Sequence, residues 1–172
     1  TQQVSSAASD VYKRQIEENL RLRNLASNPS LSVELFKTLA DCPDEVARIF
    51  LAKNSACPSK VLKKLSGDSD GAVQAAVAEH PATPLDVLVY LAEKYSKREE
   101  VVCSILKNPR CPKELFHRFC DSRSVDVRSA IAQAPACPPE ILEQYTEDKN
   151  KSVRRYALVH PELPIKVKAS VI

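Results

Sequence analysis

The stretch Val127-Arg128-Ser129-Ala130-Ile131-Ala132-Gln133-Ala134-Pro135-Ala136-Cys137-Pro138-Pro139-Glu140-Ile141-Leu142 decides the fold, because the chain keeps rewriting it. Its centre is a small or polar residue, Pro, any residue, Cys or Thr, then Pro. The pattern recurs as Asn54-Ser55-Ala56-Cys57-Pro58, His80-Pro81-Ala82-Thr83-Pro84, Asn108-Pro109-Arg110-Cys111-Pro112 and His160-Pro161-Glu162-Leu163-Pro164. A degenerate copy stands at Asn28-Pro29-Ser30-Leu31-Ser32. The copies begin at 28, 54, 80, 108, 134 and 160, so the steps are 26, 26, 28, 26 and 26. A fixed period of this length marks a solenoid, which grows by adding units that bury each other.

Counting the Asn, His or Ala of each copy as column one, apolar residues fill columns eight, nine and twelve. They are Leu35, Phe36, Leu39; Val61, Leu62, Leu65; Val87, Leu88, Leu91; Leu115, Phe116, Phe119; and Ile141, Leu142, Tyr145. That spacing is one stripe of a short helix. The column-five Pro suits its first position, where no N–H is needed, which makes column four the N-cap. Column seven then carries an acid at the positive helix end in Glu34, Asp86, Glu114 and Glu140.

A polar bend follows, as in Gly67-Asp68-Ser69-Asp70 and Asp121-Ser122-Arg123-Ser124, and then a second short segment with an inner stripe. The stripe reads Val73, Ala76, Val77; Val101, Ile105; Val127, Ala130, Ile131; and Val153, Tyr156, Ala157. That segment must stop before the column-two Pro, since a residue preceding Pro leaves the α region. Asn or His in column one suits such a helix-ending turn. The two extra residues of the third copy, within 93–100, are most simply absorbed in its bend. The expected fold is therefore an all-α, right-handed solenoid of about six two-helix units with one concave face.

Residues 16–172 are read as this single solenoid, broken off within its sixth repeat, with an uncovered apolar stripe at Ile172. Residues 1–15 match no column. The string from Val4 to Gln15 resembles translated sequencing-adapter read-through, so 1–15 are read as a non-native or disordered leader.

These columns resemble the leucine-rich repeat variant family, a bacterial repeat in which an α-helix alternates with a short 3₁₀-like helix. The resemblance rests on Leu39-Ala40-Asp41-Cys42-Pro43-Asp44-Glu45-Val46-Ala47-Arg48 and on the stretch from Val127 to Leu142. It covers roughly residues 16–172 and implies 3₁₀ character for the second segment. Some members carry an iron–sulfur cluster in a separate cysteine domain. Here the cysteines stand at 42, 57, 103, 111, 120 and 137, with no Cys-x-x-Cys, so no cluster or other cofactor is carried over.

Composition narrows the classes. With 44% hydrophobic and 27% charged residues the chain is not a disordered one. A net charge of +3 with interspersed signs does not by itself mark a nucleic-acid binder. No apolar run is long enough for a membrane span, and six Cys without a secretory signal point to a reducing cytoplasm. Twelve Pro against two Gly set the turns by fixed φ.

Each candidate site has a plainer reading beside it. Cys57, Cys111 and Cys137 in the N-cap column suggest reactive thiols, or small residues at a crowded turn. Because His80 and His160 replace Asn in column one, turn geometry explains them better than metal ligation; His117 has no partner at ligand spacing. Column twenty-one holds Arg48, Gln74, Arg128 and Arg154, with Arg155 following. On a concave face these would form a basic stripe for an acidic peptide or phosphate. The plainer reading has them bonding bend carboxylates such as Asp126 or Asp148.

No Gly-rich phosphate loop, metal spacing or nucleophile elbow is present, which points away from an enzyme. The sequence is read as a non-catalytic scaffold for a protein or peptide. Charge reversal at Arg128 and Arg154 is then expected to weaken a partner without unfolding the chain. The alternatives are a HEAT-like nucleic-acid binder and the repeat portion of an iron–sulfur protein.

Overall fold

Each of the first five copies of the repeat lays down two helices, and the residues at their ends explain why. The computed structural model describes residues 2–170, with the side chains of residue 11 and of 13–169. Among these residues are twelve helices and no strand, and the contacts run between helices adjacent or one apart in the chain. None of the helices is long and apolar enough to cross a membrane.

Contacts divide the chain into two units, meeting at Val77 and Ala78. The first contains α1 (Gln2–Ala26), α2 (Val33–Leu39), α3 (Glu45–Lys53), α4 (Ser59–Leu65) and most of α5 (Gly71–Glu79). Its core joins Ala26, Phe36, Leu39, Leu51, Leu62 and Leu65. α1 runs unbroken through residues 15 and 16, where the leader was expected to end. Thr1 and the side chains up to residue 10 lie outside the described residues, as does the stripe expected at Ile172.

The second unit contains α6 (Leu85–Lys94), α7 (Glu99–Lys107), α8 (Lys113–Phe119), α9 (Val125–Gln133), α10 (Pro139–Tyr145), α11 (Lys151–Val159) and α12 (Ile165–Ser170). α9 packs on both α7 and α11, while α8 and α10 pack against α9. Columns eight, nine and twelve are buried in nearly every copy. The exceptions are Leu35, which is exposed and follows a single helix in place of a helix pair, and Phe119, which is half-buried.

Three expectations need correcting. First, the second segments are α-helices: α3, α5, α7, α9 and α11 each run nine residues. The poorer hydrogen bonds and eclipsed side chains of a 3₁₀ helix rarely sustain more than three or four residues. Second, the column-five Pro is not the first helical residue but the N-cap itself. Pro58, Pro84, Pro112 and Pro138 have φ near −60° and ψ between 136° and 149°. The ring fixes φ but leaves ψ free, and an extended ψ turns the chain into the helix one residue later. Column seven is thus N2, one position nearer the helix end than expected.

Third, the two extra residues of the third copy are not taken up by the bend. α6 has ten residues where α4 has seven, and its bend is one residue shorter. The added turn brings Tyr90 and Tyr95 edge to face at 6.4 Å, with the Lys94 ammonium over both rings.

The shifted N-cap also decides the thiols. Cys57, Cys111 and Cys137 precede the capping Pro and lie buried in the turn. Burial pushes each of them up to about 12, the opposite of activation at a helix end. All six cysteines are unbridged. A thiol reagent at pH 8 should therefore modify none of these three in the folded chain and all six cysteines in denaturant; protected-thiol counting by mass spectrometry checks this.

Candidate functional site

Column twenty-one is built into its own bend. The Arg48 guanidinium donates to the Cys42 carbonyl, Gln74 to that of Asp68, Arg128 to that of Ser122 and Arg154 to that of Asp148. Each reaches back six residues, so one side chain satisfies a bend carbonyl in all four copies. Two of the arginines also reach forward into the next repeat. Arg48 clasps Asp68 through Nε at 2.7 Å and Nη2 at 3.1 Å, and Arg128 clasps Asp148 at 2.7 and 3.2 Å. A planar fork on a carboxylate is the geometry for which arginine is suited.

The Arg128–Asp148 pair is nearly dry, both side chains being 7% exposed. Burial opposes ionisation of Asp148, but hydrogen bonds from Arg128 and the Asn150 amide outweigh it and hold the carboxyl below its usual range. The same forces set Asp68, while Asp44 is lowered chiefly by its hydrogen bond from Arg23. Arg48, Gln74, Arg128 and Arg154 are thus engaged within the chain, as the plainer reading held for Asp148. Arg155 alone of the five is exposed, and it lines neither cleft described below.

Column one carries a second link that the sequence did not reveal. Asn54 Nδ2 donates to the carbonyls of Ala26 and Asn28, both at 2.9 Å, and its Oδ1 accepts from the Ala56 amide. Asn108 repeats this two periods on, donating to Ala78 and His80 at 2.6 and 3.0 Å and accepting from the Arg110 amide. His160 does the same with a ring: Nε2 lies 3.1 Å from the Ala134 carbonyl and Nδ1 accepts from the Glu162 amide. A side chain with a donor at its tip and an acceptor near its own backbone is what the position demands. The only signal in the sequence was the exchange of Asn for His.

With these polar columns turned inward, the open surface of the second unit lies elsewhere. Across α7, α9 and α11 runs a groove of about 410 Å³. It is lined by Cys103 and Lys107, by Val125, Asp126, Ser129 and Gln133, and by Ser152 and Tyr156. The floor is small and polar because Cys103 and Ser129 stand in column twenty-two of α7 and α9, and Asp126 and Ser152 in column nineteen of α9 and α11. Tyr156, expected in the inner stripe, is half-buried at the groove wall. A second cleft of about 470 Å³ lies between the bends, walled by Arg128, Asp148 and Tyr145, whose hydroxyl donates to the Cys120 carbonyl. Among the described residues no cluster of His, Cys, Asp or Glu is placed to hold a metal. Comparison with protein-family models, with curated proteins and with solved structures finds no match to this chain.

Proposed function

We propose that the chain is a non-catalytic helical-repeat scaffold, of the leucine-rich repeat variant kind, that binds an extended segment of a partner protein along its second helices. The observation that carries this reading is the groove across α7, α9 and α11, which spans three consecutive repeats and offers hydroxyl, amide and aromatic groups to a ligand. Consecutive repeats present equivalent positions at regular intervals, along which an extended peptide can lie. Ser, Gln and Tyr bond backbone amides and carbonyls without fixing a charge on the ligand.

The test is a peptide-display selection against the whole chain, followed by titration of enriched peptides. Ser129→Trp fills the groove from the middle of α9. Binding should weaken at least about tenfold while the melting curve stays in place, a loss of about 1.4 kcal/mol. No enrichment, or equal binding to Ser129→Trp, would refute the groove. Recovery of nucleic acid that salt releases would favour the nucleic-acid reading instead.

A further inference from the structure

The hydroxyls and the amide that line the groove across α7, α9 and α11 leave a ligand's charge open; its rims do not. Two of the lining residues carry charge, Asp126 and Lys107, and their signs are opposite. Asp126 stands in the first turn of α9 and Lys107 in the last turn of α7. The three helices run the same way. At the start of α9 the Ser124 hydroxyl donates to the Glu99 carboxylate, which opens α7, at 2.8 Å. At the end of α11 the His160 ring lies 3.1 Å from the Ala134 carbonyl, which closes α9. First turns therefore form one rim and last turns the other, and the groove has an acidic side and a basic side. Each sign suits the helix end that carries it, so the charges do not weaken the helices.

Both side chains are exposed, and neither joins an ion pair among the described residues. Cys103, on the floor, senses both: burial pushes its thiol up, Lys107 pulls it down, and Asp126 and Glu99 push it up.

We propose that the groove selects an extended protein segment carrying a Lys or Arg for the Asp126 rim and, an odd number of residues away, an Asp or Glu for the Lys107 rim. This rests on the groove reading and names the ligand that the groove takes. The parity follows from strand geometry. When the floor bonds the backbone of an extended segment, its side chains leave alternately toward the two sides. Residues at odd spacing thus face opposite rims. At even spacing one of the two charges meets a rim of its own sign, and like charges repel. A polyanion such as nucleic acid suits only the Lys107 rim and is repelled at Asp126.

A random peptide library displayed against the whole chain tests the rule. Wild type should enrich peptides with opposite charges at odd spacing. Synthetic copies should bind Asp126→Lys about fivefold more weakly, the scale of an exposed ion pair. Exchanging the peptide's basic residue for Glu should bring its affinity for Asp126→Lys within about twofold of the original pair. Lys107→Glu should behave likewise toward the peptide's acidic residue. Asp126→Asn, which sets no cation at the start of α9, should lose about threefold and serves if the lysine variant does not fold. Peptides that Ser129→Trp fails to bind, but that all three rim variants bind as tightly as wild type, would overturn the charge rule and leave the groove standing. No enrichment, or binding that Ser129→Trp leaves intact, would refute the groove and the rule with it.

Discussion

Arg128→Glu is expected to lower stability by about 3–5 kcal/mol, the cost of breaking a buried ion pair from one side. The wild-type guanidinium holds Asp148 through two bonds and also satisfies the carbonyls of Ser122, Arg123 and Ser124. A glutamate removes the donor that serves the Ser122 and Arg123 carbonyls and sets a second negative charge beside Asp148. In a unit of this size each kcal/mol moves the thermal midpoint by about 4–8 °C, so a fall of at least roughly 12 °C is expected. Arg155→Glu, on the exposed neighbour, should stay within about 0.5 kcal/mol of wild type. The pair also sets an acid limit. Because Asp148 is held below its usual range, its contribution is complete above the unfolded carboxylate pKa, about 3.9, and disappears as pH falls through the lower folded value. Circular-dichroism melts over an acid series check both statements, with Asp148→Asn giving the flatter profile.

Asn108→Leu is the second large loss. It deletes two hydrogen bonds to the preceding repeat and one to the Arg110 amide, in a buried turn. Each buried group left without a partner costs about 1–3 kcal/mol, so about 3–5 kcal/mol in total is expected after local relaxation. Asn108→Asp should be no better, since a carboxylate there would face two carbonyl oxygens with nothing to donate. Asn108→His should cost only about 1 kcal/mol, because His160 already fills the equivalent column. Urea titrations of the three variants rank these effects. A leucine variant as stable as wild type would show that the side chain only shapes the turn.

The helices were legible because their information is local. The i, i+1, i+4 stripe of columns eight, nine and twelve specifies a buried face by itself, and Leu88, Phe116 and Leu142 lie where it places them. The period supplied the neighbour that covers each stripe. The ends were less legible, for an equally physical reason. Proline fixes φ but not ψ, so the sequence could not distinguish a first helical residue from an extended cap. Column one was read only as a helix-ending turn, because its partners, carbonyls about a full period earlier, leave no local trace.

The arginines lay between these cases. Arg48 with Asp68 and Arg128 with Asp148 are each 20 residues apart, a spacing visible in the sequence and near enough to one period to signal a link between repeats. What the spacing could not reveal was the carbonyl six residues back, which Gln74 also reaches. The groove was hidden for the converse reason. Cys103, Ser129 and Ser152 attract no attention singly, and only the packing of α7, α9 and α11 makes them a continuous floor.

The most direct test of the view that column twenty-one joins one repeat to the next is a double-mutant cycle on Arg128→Leu and Asp148→Leu, measured by urea unfolding. The two changes should be strongly non-additive, with the double variant more stable than the sum of the single losses implies by about 2 kcal/mol or more. Additivity within about 0.5 kcal/mol would mean that the two residues do not sense each other, and would return Arg128 to the surface for binding.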